Sequence, residues 1–160
     1  MSTVFIIDLD GTLFDNTHRA HLIPADKSNT AEWVKFNGAC AGDTVREDVA
    51  LIVNSLLESG QKVIFLTGRG EAARIQSTAA LMTVFGREWP HLVMRPMEDH
   101  GSSADFKRRA LNQIREVWGQ CNFLAIEDDP KVATMFREEG VTVMMVDSRC
   151  AAVLSETQNK

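Results

Sequence analysis

The stretch VFIIDLDGT, residues 4–12, indicates how this chain folds. Its first four residues form a short, β-branched apolar run, which is typical of a buried strand. The run ends in Asp8 and Asp10, and Gly11 then predicts a turn. An apolar strand that ends in two acids places charged groups at the carboxyl end of that strand, which is where open parallel sheets collect their reactive residues.

Four more strand patterns follow the first, and helical patterns separate them. The expected strands cover residues 4–9, 62–67, 92–95, 123–126 and 141–146. Apolar residues at helical spacing predict helices over 45–57, 71–85, 104–118 and 130–139. Asp43 or Thr44 is the expected N-cap of the first of these helices. The alternation predicts an α/β fold with a central parallel sheet between helices.

Length and composition limit the kind of protein this is. A chain of 160 residues corresponds to one domain, and it is long enough to build a core without disulfides. The net charge of −5 argues against a protein that coats nucleic acid by bulk positive charge. A local basic pocket for a phosphate group stays compatible with that charge.

The cysteines and the first residues bear on the cellular compartment. Cys40, Cys121 and Cys150 are widely spaced and odd in number, so we expect free thiols rather than a disulfide framework. Met1–Thr3 is too short for a charged leader, and Asp8 interrupts the apolar run behind it. The expected location is the cytoplasm.

Two regions depart from the alternating pattern. Residues 15–42 are polar, then aromatic, then small, and we interpret them as a short cap inserted into a single domain of residues 1–150. Residues 151–160 are predicted to form a polar C-terminal tail.

Chemistry-bearing residues recur at the predicted strand ends. Besides the first motif, these are Thr67-Gly68-Arg69 after the second strand, Lys107 in the third predicted helix, and Glu127-Asp128-Asp129 after the fourth strand. Crowded carboxylates repel one another unless protons or a cation intervene, and Mg²⁺ prefers such oxygen ligands. Neighbouring donors and positive charges would hold an anion. The combination predicts a phosphoryl-transfer site.

Each of these motifs has a simpler interpretation when it is taken alone. The first motif is compatible with an ordinary strand-to-turn transition, and Thr67-Gly68-Arg69 with a turn. Glu127-Asp128-Asp129 is compatible with a helix N-terminus, where acids favour the helix dipole. Lys107 alone indicates only a solvated lysine. Their joint order along the chain, each at a strand end or helix start, is what favours a catalytic site.

The four motifs in this order resemble those of the haloacid dehalogenase-like superfamily of phosphohydrolases. The resemblance runs from Val4 to about Val146 and implies a Rossmann-like three-layer fold, with the first and fourth predicted strands adjacent. It implies catalytic roles for Asp8 as the nucleophile that forms an aspartyl-phosphate, for Asp10 as the acid and base, and for Lys107.

The resemblance also implies the ligands of the cofactor and the substrate. The metal would be Mg²⁺, on the Asp8 carboxylate, the Asp10 carbonyl and Asp128. The phosphate-binding residues would be Thr67, Gly68, Arg69 and Lys107. Apart from the resemblance, Arg19 lies just past the first motif and is a further candidate ligand of a substrate phosphate. The metal roles of Glu127 and Asp129 stay open at this point.

Several longer segments look more specifically like the phosphatase domain of phage polynucleotide kinase-phosphatases. These segments are THRAHLIP at 17–24, EWVKFNGAC at 32–40 followed by Asp43, Arg69 after Thr67-Gly68, LVMRPMEDH at 92–100 and AIEDDPKVATMFREEG at 125–140. Such domains remove 3′-phosphates from nucleic acid ends and from nucleotides. Glu127 departs from the family, which commonly has aspartate there. No Gly-x-x-x-x-Gly-Lys-Ser/Thr loop occurs, so kinase activity is not carried over.

The substrate stays open between several classes. A phosphorylated nucleic acid 3′ end or nucleotide is the first expectation, and a 5′-nucleotidase or small-metabolite phosphatase is the alternative. Arg95, after the third strand, is a further candidate phosphate ligand. Trp33 and Phe36 would either dock the cap or stack on a base. A short cap leaves the site open for a polymer end, or for a second subunit of a homodimer that covers it.

Overall fold

The computed structural model describes residues 2–26, 29–87 and 91–147. The strands are β1 Thr3–Ile7, β2 Phe14–Asp15, β3 Thr44–Val45, β4 Lys62–Gly70, β5 Leu92–Arg95, β6 Asn122–Glu127 and β7 Thr142–Met145. The α-helices are α1 Trp33–Gly38, α2 Glu47–Glu58, α3 Arg74–Phe85, α4 Ser103–Trp118 and α5 Pro130–Glu138.

Five strands form one parallel sheet in the order β5-β4-β1-β6-β7. The first strand lies at the centre, with Ile7 opposite Phe65 of β4 and Ile126 of β6. The predicted adjacency of the first and fourth long strands is therefore confirmed. All five strands run the same way, so their carboxyl ends share one edge of the sheet.

Helices cover both faces of this sheet, which makes three layers. Alternate residues of β1 enter different cores: Ile7 packs with residues of α2 and α3, whereas Ile6 packs with residues of α4 and α5. The sheet is thus buried on both sides, as parallel sheets require. The α/β fold class expected from the sequence is confirmed.

The insertion begins and ends at a two-stranded ribbon. Strands β2 and β3 pair antiparallel, with Phe14 opposite Val45. Between them lie 3₁₀ helices at Thr17–Leu22, Thr30–Glu32 and Ala39–Gly42, together with α1. In the parts of the chain described, no helix is long and apolar enough to cross a membrane.

The expected elements match the observed ones to within a few residues, with one correction. Helix α2 begins at Glu47, and Arg46 occupies its N-cap position, so the prediction of Asp43 or Thr44 as N-cap is wrong. The Asp43 side chain is buried and accepts hydrogen bonds from arginines instead. The predicted tail at 151–160 lies outside the described residues.

Candidate active site

The centre of the site is a buried lysine between two acids. Lys107, on the first half of α4, donates from Nζ to Asp8 Oδ1 at 2.6 Å and to Glu127 Oε2 at 2.7 Å. Asp8 follows β1 and Glu127 ends β6, so the adjacency of these strands brings the two carboxylates to one ammonium group. All three side chains are at most 6% exposed.

The surroundings of this triad shift its ionisation. Burial, reinforced by the charge of Glu127, raises the pKa of Asp8 to about 7 even though Lys107 opposes the shift. Burial likewise raises the pKa of Glu127 against the effect of Lys107. Burial favours the neutral amine of Lys107, but the two carboxylates outweigh it and raise the pKa of the ammonium above its ordinary value. The ammonium therefore stays charged in the buried site.

Asp128 brings a third carboxylate to the same place. One oxygen each of Asp8, Glu127 and Asp128 lies within 4.8 Å of the others. Thr12 Oγ1 donates to Asp128 Oδ1 at 3.2 Å and thereby orients it. Three hard oxygen donors at this spacing fit a Mg²⁺ ion. Both oxygens of Glu127 are engaged within the protein, since the one not bonded to Lys107 accepts the backbone N–H of Asp129 at 3.1 Å.

Asp10 lies two residues from Asp8, in a different environment. Arg69 donates to Asp10 Oδ1 from Nε at 2.9 Å and from Nη2 at 2.5 Å, and Arg19 Nη2 donates to the same oxygen. Burial would raise the pKa of Asp10, but Arg69 and then Arg19 outweigh it and hold that pKa below its ordinary value. Asp10 is therefore a carboxylate in the free protein.

Asp43 completes this network from the end of the insertion. Its two oxygens accept from Arg19 Nε and Nη2, both at 2.7 Å, and from Arg69 Nη2 at 2.6 Å. His18 Nε2 lies 2.9 Å from the same carboxylate. The Asp43 side chain is only 1% exposed. Asp43 is a site residue that the motifs do not predict, and its position as an acid at the junction of cap and helix is the available signal.

A cleft of about 460 Å³ opens above these groups. Buried Asp8 and Lys107 line it together with Asp10, and its apolar lining comes from the more exposed side chains of Trp33, Ile23, Val34 and Met97. Acids and a cation beside more exposed apolar side chains suit a ligand that has an anionic end and an organic body.

The family model described as polynucleotide kinase PNKP phosphatase domain matches residues 2–149. The chain belongs to this family. The chain therefore has the fold of a phosphatase domain of the haloacid dehalogenase-like superfamily, as the motif order predicts. Its acids lie at the carboxyl ends of the sheet strands.

A relative of this phosphatase domain is also a phosphatase. Acid phosphatase 1 of Solanum lycopersicum is 33% identical over 120 residues, which cover 71% of this chain and 45% of that protein. The chain therefore spans less than half the length of this relative.

Solved structures share the fold. A structure of the Pnkp1/Rnl/Hen1 RNA repair complex has a TM-score of 0.68 and 24% identity, and the match covers 92% of this chain and 43% of that one. The class C acid phosphatase of Bacillus anthracis has a TM-score of 0.62 and 13% identity, with coverage of 93% and 67%.

The predicted site residues of this phosphatase domain fall into two groups, one that lines the cleft and one that is buried behind it. Asp8, Asp10, Gly68, Lys107 and Asp128 line the cleft. Thr67, Arg19 and Arg69 lie behind it, each no more than 1% exposed.

The buried group uses its donors within the protein. Thr67 Oγ1 accepts the backbone N–H of Arg69 at 3.2 Å. Arg69 Nη1 donates to Ser77 Oγ at 3.2 Å, and Arg19 Nη1 donates to the Phe36 carbonyl at 2.9 Å. In this structure the two guanidinium groups hold Asp10 and Asp43, and the direct phosphate contacts predicted for Arg19 and Arg69 stay predictions.

Proposed function

We propose that this phosphatase domain is a Mg²⁺-dependent phosphomonoesterase that forms an aspartyl-phosphate on Asp8. The observation that carries the proposal is the pair of carboxylates at the end of β1, one against Lys107 and one against two arginines. Two acids in such different environments are suited to two different catalytic tasks. Membership of the phosphatase family supports the same assignment.

The first half of the reaction is a displacement at phosphorus. A carboxylate oxygen of Asp8 attacks the phosphorus, and the bond from phosphorus to the leaving alcohol oxygen breaks. Asp10 gives its proton to that oxygen, so the alcohol leaves neutral. Lys107, 2.6 Å from Asp8, would balance the charge of the phosphoryl oxygens.

The second half regenerates the enzyme. Asp10, again a carboxylate, takes a proton from a water molecule, whose oxygen attacks the phosphorus and releases inorganic phosphate and free Asp8. The arginines favour the charged form of Asp10, which suits this base role. The negative charge of a bound phosphate opposes the arginines, and so favours the protonated Asp10 that the first half needs.

The residues that would hold Mg²⁺ are Asp8, Asp128 and the backbone carbonyl of Asp10. When bound, the ion supplies positive charge that favours ionised carboxylates and neutralises phosphoryl oxygens. The close approach of the acidic oxygens supports this part of the proposal.

For the substrate we infer a 3′-phosphate at a nucleic acid end or on a nucleotide. The likeness to a Pnkp1-containing RNA repair complex and the apolar wall beside the acids support this class. A nucleobase against Trp33 would use that wall. The resemblance to acid phosphatase 1 favours a second candidate, a small phosphomonoester such as a 5′-mononucleotide.

We also propose a setting for the reaction. Free thiols at Cys40 and Cys121 are compatible with the reducing cytoplasm. The insertion, residues 15–42 of a single domain over 1–150, would act as a small cap. Because the cap is short, a second subunit in a homodimer would have room to cover the cleft.

The test is a panel of phosphate-release assays with Mg²⁺. Substrates are 3′- and 5′-phosphorylated oligonucleotides, 3′- and 5′-mononucleotides, sugar phosphates and nitrophenyl phosphate. We expect the highest kcat/KM on a 3′-phosphate, with little gain beyond a nucleotide or two. A 5′-mononucleotide that outperforms both 3′ substrates would establish the second candidate instead. No release from any monoester would contradict the enzymatic proposal itself.

A further inference from the structure

Arg95 is a buried cation at the end of β5 that the proposed reaction leaves without a role. The residue is 8% exposed and lines the cleft. Its Nη1 donates to the Gly101 carbonyl at 2.6 Å, and its Nη2 donates to Ser103 Oγ at 3.2 Å. Both partners are neutral, so they orient the guanidinium without cancelling its charge.

The charge balance of Arg95 differs from that of the other two arginines at this edge of the sheet. Arg19 and Arg69 each contact two carboxylates. Within the described residues, no carboxylate oxygen lies within 4 Å of the Arg95 guanidinium, since Asp99 is held by Arg109 at 2.5 Å. Asp99 therefore acts on the Arg95 guanidinium only at longer range, and among the described residues an arriving anion would be its first direct ionic partner.

Arg95 lies at a distance from Asp8, the residue at which the reacting phosphate would bind. Strand β4 lies between β5 and β1, so Arg95 comes from two strands away from Asp8, roughly 9–10 Å at the usual strand spacing. Gly68 of β4 lines the cleft beside Arg95. A Cβ at Gly68 would lie 3.5 Å from Ser103 Oγ and 4.0 Å from Arg95 Nη2, in ordinary van der Waals contact with both, and the glycine leaves that space to a ligand.

We propose that Arg95 binds a second anion of the substrate, the phosphodiester that precedes the 3′-terminal nucleotide. The inference rests on the proposed function, and it names the part of the strand that the site recognises. A guanidinium held by two neutral acceptors presents its remaining donors in a fixed plane, which suits two oxygens of one phosphate. The site therefore distinguishes a dinucleotide from a mononucleotide.

The experiment compares substrates that differ by one phosphodiester. These are nitrophenyl phosphate, a nucleoside 3′-monophosphate, and a dinucleotide with a 3′-phosphate and a 5′-hydroxyl. The variant Arg95→Gln removes the charge and keeps donors for the Gly101 carbonyl. Its kcat/KM should fall about tenfold, or ~1.4 kcal/mol, on the dinucleotide only. Arg95→Lys should recover part of that loss, and Arg108→Gln, an exposed arginine of α4 that pairs with Glu138, is the control with little expected effect.

Two further measurements do not rely on a comparison between substrates. For a 3′-phosphorylated oligonucleotide, the slope of log kcat/KM against log salt should become shallower by about 0.7 in Arg95→Gln, the value for one lost contact to a single strand. The Kd of the dinucleotide, measured by titration in the Asp8→Asn background, should rise about tenfold with Arg95→Gln.

Other results would overturn the inference. An equal loss on nitrophenyl phosphate would place Arg95 at the reacting phosphate or in support of the loop before α4. An unchanged dinucleotide Kd would mean that Arg95 binds no second anion. In both cases wild-type phosphate release would continue, whereas failure of the proposed function would remove it from every substrate.

Discussion

At the scale of single residues, the site gives two aspartate side chains different ionisation properties. Asp8 and Asp10 are two positions apart, yet burial raises the pKa of Asp8 to about 7 while arginines hold the pKa of Asp10 below its ordinary value. The difference comes from their partners, which are one ammonium group for Asp8 and two guanidinium groups for Asp10. Helix α4 supplies Lys107, strand β4 supplies Arg69, and the cap supplies Arg19.

Asp8→Asn should abolish phosphate release, because an amide does not attack phosphorus and is a poorer metal ligand. The fold should persist, since Lys107 keeps Glu127 as an ionic partner at 2.7 Å. Phosphate release and circular dichroism of the purified variant check this prediction. More than a few per cent of wild-type turnover in the folded variant would remove Asp8 from the role of nucleophile.

Asp10→Asn should reduce activity on substrates with a poor leaving group more than on nitrophenyl phosphate. General acid catalysis typically contributes about 10²–10⁴-fold, and a nitrophenolate leaving group needs little of it. Some loss on both substrates is expected, because the base role is also removed. The measurement is kcat/KM on a nucleoside 3′-monophosphate and on nitrophenyl phosphate, and equal losses would argue against Asp10 as the acid.

Asp43→Asn should destabilise the protein, although Asp43 does not line the cleft. The change leaves two buried guanidinium groups with one carboxylate, and breaking such a network typically costs roughly 3–5 kcal/mol. Urea denaturation measures the free energy of unfolding. Glu138→Gln, which breaks a surface pair with Arg108 at 3.0 Å, is the control and should cost less than about 1 kcal/mol. Similar values for both variants would contradict the network's role.

The sequence predicts which residue types gather at the site better than it predicts their partners. Motif order is enough to place Asp8, Asp10, Lys107 and Asp128 at one edge of the sheet. The acceptors of the two arginines depend on how the insertion folds back, and no local pattern reports that. For this reason the role of Asp43 is not predictable from the sequence, although its position at the junction of cap and helix marks it as a candidate.

At the scale of elements, the turn after β1 aims the catalytic pair. Gly11 has φ 80°, and the turn closes with Gly11 N donating to the Phe14 carbonyl at 2.9 Å and Phe14 N donating to the Leu9 carbonyl at 2.8 Å. A side chain at this φ is strained by about 1–2 kcal/mol. The turn therefore needs glycine at this position.

Gly11→Ala should lower both stability and activity, whereas Gly86→Ala should lower stability alone. Gly86 follows α3 with φ 69°, and a Cβ there would meet no atom within 4 Å, so the two changes impose similar backbone strain. Only the strain at Gly11 lies next to Asp10, so only Gly11→Ala should lower activity. Thermal unfolding and kcat/KM of both variants test this pairing, and full activity in Gly11→Ala would show that the turn tolerates the change.

The repeating elements are predictable from sequence and the insertion is not. Apolar runs and helical spacing indicate all five strands of the sheet and α2 to α5 to within a few residues. The insertion is built from 3₁₀ turns and one helix of six residues, which are too short for a period to develop. Its fold depends on contacts with the core, so a local pattern does not specify it.

At the scale of the whole molecule, the acidic strand ends make stability depend on metal. Carboxylate oxygens of Asp8, Glu127 and Asp128 lie within 4.8 Å of one another, so a divalent ion should stabilise the folded state over the unfolded one. At one hundred times its Kd, Mg²⁺ should add about 2.7 kcal/mol.

The measurement for the metal is thermal unfolding with Mg²⁺ and with a chelator. Asp128→Asn should shrink the Mg²⁺-dependent rise in Tm, while Glu58→Gln on the outer surface should keep it. Equal Tm values with Mg²⁺ and with chelator in the wild type would contradict a metal site at these acids.

The ribbon of β2 and β3 has a consequence for how this domain is able to diversify. The insertion leaves the core and returns at paired positions, Asp15 opposite Thr44, so its length is decoupled from the sheet. A segment of different size and shape is therefore interchangeable at this junction, in evolution or in a chimera. Arg19 and Asp43 limit that freedom, because both belong to the exchanged module and both position Asp10 or its arginine partner. A transplanted insertion that lacked Arg19 and Asp43 would change the cap but leave Asp10 without its normal partners, and the enzyme would be inactive.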